Sequence, residues 1–527
     1  MYYYVSYYHN MNKNNNQNNN QSENEVCIMP KNIPTYIGTK GYTILKSNLS
    51  IAQLNFIRIE LLIRPFVMGS PVASINLFSV YRESDKKIYM PRYFGEFHFG
   101  PAKEVKIPNG VEINVPFVGE LRDYQQDIVS AYTNKIMQKE YGGGLIDIGC
   151  GKGKTVCALN IISQLKLKTI VIVHKEFLMN QWIERAQQYL PNAKIGKIQG
   201  QIIDIEGKDI VLAMLQSLSM KEYPATLFDE FGLTIIDEVH HISSEVFSRS
   251  LFKLATKYTL GLSATMDRKD GTTKVFKMFL GEVVYKDLNK STHQVVVRAI
   301  KYETQDEDFN KMVYDFRGNP QYSTMISKLC TYNHRTEFIL KILTDMLVEN
   351  PHQQIIILAH NKNILKYLFD AIEHRNITSV GYYVGGMKEL ALKMSETKKV
   401  IIATYSMAAE ALDIKTLTTL IMATPKTDIV QSVGRILRDR DSSPVVVDII
   451  DSHDIFKNQW IKRKRFYKDQ NYKIVETTNT EYTTNINNWS LVYTPSSKCK
   501  SKKNETNDVK TKDDILVGTC FIKLPRV

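Results

Sequence analysis

Hydrophobic residues change their spacing at about Leu121, where short apolar segments begin to alternate with stretches of helical periodicity. Such alternation is typical of parallel α/β sheets, in which each buried strand is followed by a helix that covers it. The alternation occurs twice, on either side of a more polar stretch from about residue 286 to 335. The strands expected in the first set are 144–148, 169–174, 209–215, 233–237 and 258–263, and those in the second are 355–360, 380–384, 400–405, 419–424 and 445–450. The pattern therefore predicts an α/β protein with two tandem lobes.

The rest of the sequence predicts smaller regions at both ends. Tyrosines and then an asparagine-rich tract occupy the first residues, and this composition buries too little apolar surface to fold. Before Leu121, apolar and alternating segments broken by Pro and Gly predict a small α+β domain. The expected divisions are a disordered tail (1–33), an N-terminal accessory domain (34–119), lobe 1 (120–285), a linker or insertion (286–335), lobe 2 (336–473) and a polar, partly Lys-rich tail (474–527).

Composition narrows the class of partner. The chain has 68 Lys and Arg against 55 Asp and Glu, and the formal charge of +13 favours an anionic partner such as nucleic acid. A basic stretch at residues 460–467 fits two interpretations: contact with nucleic acid, or a helix that packs Trp460 and Phe466 on lobe 2. The six cysteines include no C-x-x-C pair, which indicates a reducing compartment without a zinc site or disulfide framework. With no bilayer-length apolar run and no signal peptide, we expect a soluble intracellular protein.

A glycine-rich segment follows the first strand of lobe 1 and opens a predicted helix. It reads Ile148-Gly149-Cys150-Gly151-Lys152-Gly153-Lys154-Thr155. Glycines at a helix N-terminus let backbone N–H groups surround phosphate oxygens, where the helix dipole also favours an anion. Lys154 would contact the β- and γ-phosphates of a nucleotide, and the Thr155 hydroxyl would bind Mg²⁺. Because Ile148 stands where G-x-x-x-x-G-K-T has its first Gly, an ordinary glycine-rich turn is the alternative.

Two adjacent carboxylates lie at the end of a later lobe 1 strand, in the segment Asp237-Glu238-Val239-His240. Placing both there would be costly without a cation. We expect Asp237 to bind Mg²⁺ through water and Glu238 to polarise the attacking water. An exposed acidic turn is the alternative. His240 and His241 are adjacent and do not face one another, so we interpret them as a link to lobe 2 and not as a metal pair.

Lobe 2 contributes a third segment, which runs from Gln431 to Arg438. Arg435 and Arg438 are three residues apart and would share one helix face. Guanidinium groups suit phosphate and stay charged when partly buried, so both arginines are candidates to reach the γ-phosphate across the cleft. An ordinary helix with two surface arginines is the alternative.

In this order the segments resemble the motifs of superfamily 2 helicases, from about residue 121 to 468. The resemblance implies two tandem RecA-like lobes, ATP and Mg²⁺ as cofactors, and ATP hydrolysis coupled to movement on nucleic acid. It implies recognition of adenine by Arg122 and Gln125, and coupling through His240 and the segment Ser263-Ala264-Thr265. The residues it implies at the nucleic-acid strand are Lys175, Gln216, Ser217, His360 and Thr404.

Two details are similar to the XPB-like branch and to the transcript-release and termination helicases of large cytoplasmic DNA viruses. Ile148 gives the phosphate loop an aliphatic first residue, as in both groups. Lys269 departs from the Arg-Glu-Asp of XPB relatives by reversing the charge of its middle residue, which favours the viral group. This resemblance implies 3′ to 5′ movement on DNA in viral transcription or DNA repair, with RNA polymerase or transcription factors as partners. We expect a monomer and, for a viral protein, a location in the host cytoplasm or viral factory, with packaging in the virion as a further option. An RNA helicase, an ATP-switched nucleic-acid clamp or remodeller, and the motor of a nuclease remain as alternatives.

Overall fold

The computed structural model describes residues 29–65, 77–149, 151–224, 226–241, 244–264, 271–287, 294–410, 412, 414, 416–437 and 443–495. Cys150, Thr265 and Arg438 lie outside the described residues, as does most of both expected tails. The described strands form one five-stranded sheet, two eight-stranded sheets and a two-stranded ladder. The two large sheets confirm the tandem α/β lobes that the hydrophobic pattern predicts.

The N-terminal domain is a small α+β unit that packs on lobe 1. Its elements are β1 (Thr35–Gly38), β2 (Gly41–Leu45), α1 (Ile51–Glu60), β3 (Leu62–Ile63), β4 (Phe78–Ser79), β5 (Arg82–Glu83), β6 (Lys87–Met90), α2 (Arg92–Phe99) and β7 (Glu104–Val105). The sheet has the order β5-β6-β2-β1-β7. One hydrophobic core contains both Tyr42 of this domain and Phe276 of lobe 1. Arg92, which is buried, donates to the carbonyl of Thr256 at 2.7 Å, so the domain is joined to lobe 1 by polar contacts as well.

Lobe 1 is an eight-stranded sheet, parallel except for one edge strand, with the order β11-β10-β12-β9-β13-β14-β8-β15. Its strands are β8 (Gly142–Asp147), β9 (Thr169–Val173), β10 (Ile195–Gln199), β11 (Ile202–Asp204), β12 (Ile210–Met214), β13 (Leu233–Ile236), β14 (Tyr258–Ser263) and β15 (Val283–Lys286). Its helices are α3 (Asp123–Met137), α4 (Lys154–Leu165), α5 (Glu176–Tyr189), α6 (Leu215–Met220), α7 (Ser244–Leu251) and α8 (Thr273–Leu280). Ser263 pairs with Asp147 and Gly261 with Ile236, so β8, β14 and β13 end at one edge of the sheet. Ligand sites in open parallel sheets lie at this edge.

Lobe 2 has a second eight-stranded sheet, with the order β18-β19-β17-β20-β21-β16-β22-β23. Its strands are β16 (Val296–Tyr302), β17 (Gln354–Ala359), β18 (Val380–Tyr383), β19 (Val400–Thr404), β20 (Leu417–Met422), β21 (Val445–Asp451), β22 (Lys473–Thr478) and β23 (Ser490–Tyr493). Its helices are α9 (Glu307–Asn310), α10 (Tyr322–Thr331), α11 (Asn333–Glu349), α12 (Lys362–His374), α13 (Glu389–Glu396), α14 (Tyr405–Glu410), α15 (Val430–Gly434) and α16 (Asp454–Asp469). All ten strands expected from the sequence are present within two residues at each end.

The second sheet extends beyond the predicted bounds of lobe 2 on both sides. β16 lies in the stretch 286–335, which we expected to be a linker, yet it pairs in parallel with both β21 and β22. β22 and β23 lie in the stretch expected to be a polar tail. The reason is that a strand is stabilised by the neighbours on which it packs, and these neighbours come from distant parts of the chain that the local sequence does not identify. Val297, Ala299 and Ile300 of β16 are 0% exposed.

Candidate active site

The glycine-rich segment forms a tight turn between β8 and α4. Gly151 has φ 78°, and Gly153, the N-cap of α4, has φ 80° and ψ 37°. These left-handed conformations favour glycine. A Cβ on Gly153 would also lie 2.3 Å from Nε2 of Gln125. Gly153 is therefore required both by its backbone conformation and by the closeness of Gln125, and α4 begins at Lys154 with its N-terminus directed to the loop.

Residues before the first strand support this loop from the side. Gln125 is buried, and its amide nitrogen donates to the carbonyl of Lys152 at 3.1 Å while its amide oxygen accepts from the backbone N–H of Arg122 at 3.0 Å. The Tyr124 hydroxyl donates to the same Lys152 carbonyl at 3.4 Å. In this structure Gln125 thus positions the phosphate loop, and its contact with adenine stays a prediction.

Lys152 also connects the loop to the strand by which the chain leaves lobe 1. Its ammonium group forms an ion pair with Asp287, the residue after β15. The backbone N–H of Asp287 donates to the carbonyl of Asp147 at 2.9 Å, and Lys286 lies 3.5 Å from the Asp147 carboxylate. Asp287 was not predicted, because nothing in its local sequence indicates a residue 135 positions away as its partner.

Asp237 is buried at the end of β13, at the same edge as the loop. One of its oxygens accepts from the Trp182 indole at 2.8 Å and the other from the backbone N–H of Glu238 at 2.9 Å. Burial, together with the nearby Glu238 carboxylate, raises the pKa of Asp237 to about 6. A divalent cation beside such a carboxylate would favour its ionised form. The donor set therefore fits Mg²⁺, and Trp182 orients the carboxylate, a role that its sequence position did not reveal.

Glu238 adopts a left-handed backbone conformation with φ 48°, which is unusual for a residue that is not glycine. Backbone conformations of this kind cost on the order of 1–3 kcal/mol and are concentrated at functional sites. Here the conformation places the Glu238 carboxylate 3.3 Å from the ammonium group of Lys154. The two residues that the sequence assigned to phosphate binding and water activation are thus side by side, although they are far apart in the chain.

His240 joins this carboxylate to lobe 2. Its Nε2 lies 2.9 Å from the amide nitrogen of Gln431, and its Nδ1 lies 2.7 Å from the Ser263 hydroxyl and 3.4 Å from Glu238. Because an amide nitrogen can only donate, Nε2 accepts and Nδ1 of a neutral ring carries the proton. That proton points to Ser263 and Glu238. The structure therefore brings His240, Ser263, Glu238 and Gln431 together. Ala264, the residue after Ser263, is buried.

The arginine segment of lobe 2 differs from the prediction. Helix α15 ends at Gly434, before either arginine, and the chain tightens there because Arg435 and Ile436 donate to carbonyls three residues back. The expectation that both arginines share a helix face is therefore wrong. Arg435 is buried and donates to the carbonyl of Leu412 at 2.7 Å. Its predicted contact with a γ-phosphate stays a prediction, as does that of Arg438.

The lobe 1 residues that we expect to contact a nucleic-acid strand lie at the carboxyl edge of the lobe 1 sheet. Lys175 is the N-cap of α5, directly after β9. Gln216, at the start of α6, donates to the carbonyl of His174 at 2.9 Å. The hydroxyl of Ser217 accepts from the backbone N–H of Gly200 at 3.0 Å. These contacts collect the ends of β9, β10 and β12 into one polar surface.

The corresponding residues of lobe 2 lie at the same edge of the second sheet. Thr404 at the end of β19 pairs with Ala359, which precedes His360. Nδ1 of His360 lies 2.8 Å from the Thr424 hydroxyl. Burial, together with nearby Lys426, lowers the pKa of His360 to about 4. His360 is therefore neutral at physiological pH and would meet nucleic acid through a hydrogen bond instead of an ion pair.

Helix α16 contains the basic stretch at residues 460–467, whose contact with nucleic acid stays a prediction. Trp460 is 6% exposed, and Arg463 and Tyr467 are 0% exposed. The Arg463 guanidinium donates to both oxygens of Asp448, at 2.7 and 2.8 Å. This part of the stretch therefore packs on lobe 2.

Among the described residues, no group of three or more His, Cys, Asp or Glu could hold a metal ion. No helix in the same part of the chain is long and apolar enough to cross a membrane.

Known proteins with similar sequences agree with this geometry. The family model described as "Type III restriction enzyme, res subunit" matches residues 119–268. A protein of Acanthamoeba polyphaga mimivirus named "Putative ATP-dependent RNA helicase" is 34% identical over 461 residues, which cover 85% of this chain and 87% of that protein. A similarly named protein of African swine fever virus is 29% identical over 380 residues, covering 67% and 74%.

A further similarity covers a smaller part of the chain. The "DNA 3'-5' translocase XPB2" of Sulfurisphaera tokodaii is 33% identical over 207 residues, which cover 38% of this chain and 44% of that protein. The evidence for the family is the pair of lobes, the site between them and the extent of the match to the mimivirus protein. The chain therefore belongs to the superfamily 2 helicases, has relatives among viral ATP-dependent helicases and is an ATP-hydrolysing enzyme.

Proposed function

We propose that this enzyme uses ATP to translocate on DNA, in viral transcript release or termination or in DNA repair. The observation that carries the proposal is the contact between Gln431 of lobe 2 and His240 of lobe 1, because His240 also lies beside Glu238. His240 contacts both the carboxylate proposed for hydrolysis and a residue of the other lobe. A change in the bound nucleotide can therefore change the relative positions of the lobes through this side chain. The similarity to a protein named as a DNA translocase supports DNA as the substrate.

In this proposal the nucleotide binds at the edge where β8, β13 and β14 end. The backbone N–H groups of Gly149, Cys150, Gly151, Lys152 and Gly153 surround the phosphates, and Lys154 contacts the β- and γ-phosphates. Arg122 and Gln125 bind adenine. Glu238 polarises the attacking water, and its separation of 3.3 Å from Lys154 places it close to the γ-phosphate position.

Thr155 and Asp237 would hold Mg²⁺ together with the phosphates, Asp237 through water. The ion would neutralise charge on the phosphate oxygens during hydrolysis. The protein's own contribution is to fix the Asp237 carboxylate, which the hydrogen bond from Trp182 does. Thr155 is the second residue of α4, in the helical turn that directly follows the phosphate loop.

Closure of the cleft would bring Gln431, Arg435 and Arg438 to the γ-phosphate, and hydrolysis would reopen it. Arg435 would then exchange its hydrogen bond to the Leu412 carbonyl for the nucleotide. Each cycle would advance a strand that lies across the carboxyl edges of both sheets. Its contacts would be Lys175, Gln216, Ser217, His360 and Thr404.

Contacts of this type hold the phosphate backbone and carry little sequence preference. The affinity for single-stranded DNA is therefore expected to fall as the salt concentration rises. Equal affinity at about 50 and 200 mM salt would exclude this way of holding the strand.

The main test measures ATP hydrolysis with single-stranded DNA, double-stranded DNA, single-stranded RNA or no polymer, with Lys154→Ala as the blank. Strong stimulation by DNA is the expected result. Stimulation by RNA alone would replace the proposal with an RNA helicase, the activity in the names of the two viral relatives. Stimulation by DNA without strand displacement or transcript release would indicate an ATP-switched clamp or remodeller.

The biological setting is part of the same proposal. Relatives from two viruses support a viral protein. Its proposed location is the host cytoplasm or viral factory, with packaging in the virion. RNA polymerase or transcription factors are the proposed partners, and the enzyme would act as a monomer. Co-purification of the tagged protein with viral RNA polymerase from infected cells, compared with purified virions, tests both points.

A further inference from the structure

A protruding loop of lobe 2, residues 313–321, connects α9 to α10. The backbone N–H of Gln321 donates to the carbonyl of Val313 at 2.9 Å, and Tyr314 and Pro320 form an isolated antiparallel bridge. Because its two ends are joined in this way, the loop is a short hairpin, which we call the aromatic finger.

Asp315 holds the tip of the aromatic finger in one shape. Its Oδ1 accepts from the backbone N–H groups of Arg317 and Asn319, both at 2.8 Å. The N–H of Asp315 in turn donates to the carbonyl of Asn319 at 2.8 Å. Hydrogen bonds from these backbone N–H groups, with the one from Asn319 the largest cause, lower the pKa of Asp315. Gly318 supplies the left-handed conformation of the turn, with φ 79°. The tip is therefore ordered without any contribution from the side chain of Phe316.

That side chain projects into solvent. Phe316 is 90% exposed, more than any other large hydrophobic residue in the described part of the chain, and Tyr314 is 54% exposed. The Arg317 guanidinium carbon lies 4.9 Å from the centre of the Phe316 ring. An exposed aromatic ring beside a cation, on a rigid support, does not stabilise the core and is typical of a surface that binds something else.

The position of the aromatic finger indicates what it binds. Tyr322, the first residue after it, donates from its hydroxyl to the carbonyl of Pro425 at 3.0 Å, and its ring centre lies 6.1 Å from that of His360. Asn361, the residue after His360, donates to the Ser327 hydroxyl of α10 at 3.3 Å. The base of the finger is thus attached to the carboxyl edge of the lobe 2 sheet, beside the candidate strand-contacting residues His360 and Thr404.

We propose that the aromatic finger is a nucleic-acid contact in which the Phe316 ring stacks on a base and Arg317 binds a neighbouring phosphate. Aromatic side chains stack on every base because each has a π face, and arginine suits phosphate. This inference rests on the proposed function as a nucleic-acid motor. It adds a contact with a base to a surface whose other proposed contacts are with the sugar-phosphate backbone of the nucleic acid. The ligand is an exposed base face, which either a single strand or the last base pair of a duplex supplies.

The test compares Phe316→Ala, Phe316→Leu and Phe316→Trp in the full-length chain. The probes are a fluorescein-labelled single-stranded oligonucleotide and a labelled duplex with one blunt end and one single-stranded overhang. Affinity is measured by anisotropy without nucleotide. Ala and Leu are expected to weaken binding roughly 5- to 100-fold and Trp to preserve it, since loss of one stacked base has effects of about this size. Weakening on the single strand places Phe316 on that strand. Weakening only on the overhang duplex places it at the junction, and both results support the proposal.

Phe97→Ala is the matched control, because Phe97 is 81% exposed but lies in the N-terminal domain. It is expected to leave both affinities unchanged. ATP hydrolysis without polymer should be the same in all variants, since Phe316 makes no contact with the nucleotide site. Arg317→Gln should reduce the salt dependence of binding by about one phosphate contact.

Equal affinity of Phe316→Ala and the unchanged protein for both probes would overturn the inference and leave the finger as a surface for a protein partner. Equal weakening by Ala, Leu and Trp would also overturn it, because stacking would not then be the cause. Failure of the proposed function is a different result: the unchanged protein would itself show neither binding to the probes nor stimulation of ATP hydrolysis.

Discussion

The two lobes have similar parallel sheets but differ in the partners of their buried carboxylates. In lobe 2, Asp448 pairs with Arg463 and Asp451 pairs with Arg335, and all four side chains are 0% exposed. In lobe 1, the buried Asp237 accepts hydrogen bonds from an indole and a backbone N–H, and its pKa is raised because it is buried near a second carboxylate.

This difference separates charges that hold the fold from charges that serve a ligand. A buried carboxylate with a bidentate arginine has its charge neutralised within the protein. When burial disfavours the ionised form of a carboxylate, a bound cation stabilises that form. The protonation state of the carboxylate is then coupled to binding of the cation. Lobe 1 therefore contains the candidate catalytic carboxylates, whereas the Arg463–Asp448 and Arg335–Asp451 pairs of lobe 2 stabilise the fold. Four substitutions test this contrast.

Lys154→Ala is expected to have the largest effect. Removal of the ammonium group that contacts the phosphates should lower ATP turnover by roughly 10³-fold or more, the range seen when a cation that stabilises the transferred phosphoryl group is lost. The measurement is steady-state ATP hydrolysis at saturating nucleic acid, with circular dichroism to show that the fold is intact. Turnover within tenfold of the unchanged enzyme would remove Lys154 from the catalytic machinery.

Glu238→Gln should lower the turnover number by roughly 10²- to 10⁴-fold, the usual contribution of a general base. ATP binding should persist, because the amide keeps the shape of the side chain and the phosphate loop is unchanged. Binding of a fluorescent ATP analogue and single-turnover hydrolysis measure the two steps separately. Retained hydrolysis would assign the activation of water to another group.

Arg463→Ala should lower the free energy of unfolding by about 3–5 kcal/mol, because it leaves the Asp448 carboxylate buried without its partner. The control is Arg375→Ala, which removes an exposed ion pair with Glu337 and should cost about 0–1 kcal/mol. Chemical denaturation monitored by tryptophan fluorescence measures both. Similar losses for the two variants would mean that burial does not distinguish the ion pairs of lobe 2.

Gln431→Ala should have the smallest effect, a decrease of up to about tenfold in polymer-stimulated turnover. It removes one hydrogen bond to His240, with a net contribution of about 0.5–1.5 kcal/mol. The Michaelis constant for ATP should change little, because in the proposed cycle Gln431 reaches the γ-phosphate only when the cleft closes. Lys393→Ala is the control, since it removes an exposed interlobe pair with Glu184, at 3.1 Å, far from His240 in the sequence. If the control lowers turnover as much as Gln431→Ala, interlobe contact in general and not the path through His240 would be responsible.

Local patterns in the sequence were sufficient to predict the lobes and to select the candidate catalytic side chains. The strands 258–263 and 445–450 are continuous apolar segments, and Gly153 with Lys154 is a local motif whose geometry depends on adjacent residues. These features are decided by residues a few positions apart. They could be predicted because periodicity and backbone conformation are local properties.

The partners of those residues were decided by the tertiary structure. Trp182 reaches Asp237 and Asp287 reaches Lys152 only because strand order brings distant segments to one edge of a sheet. Gln431 reaches His240 because the two lobes face each other. The same holds for β16, which becomes a strand because β21 and β22 lie on either side of it. Thus the sequence by itself determined which groups are candidates for the chemistry, and the packing of the sheets decided which charges are paired, which are buried and which lobe each one faces.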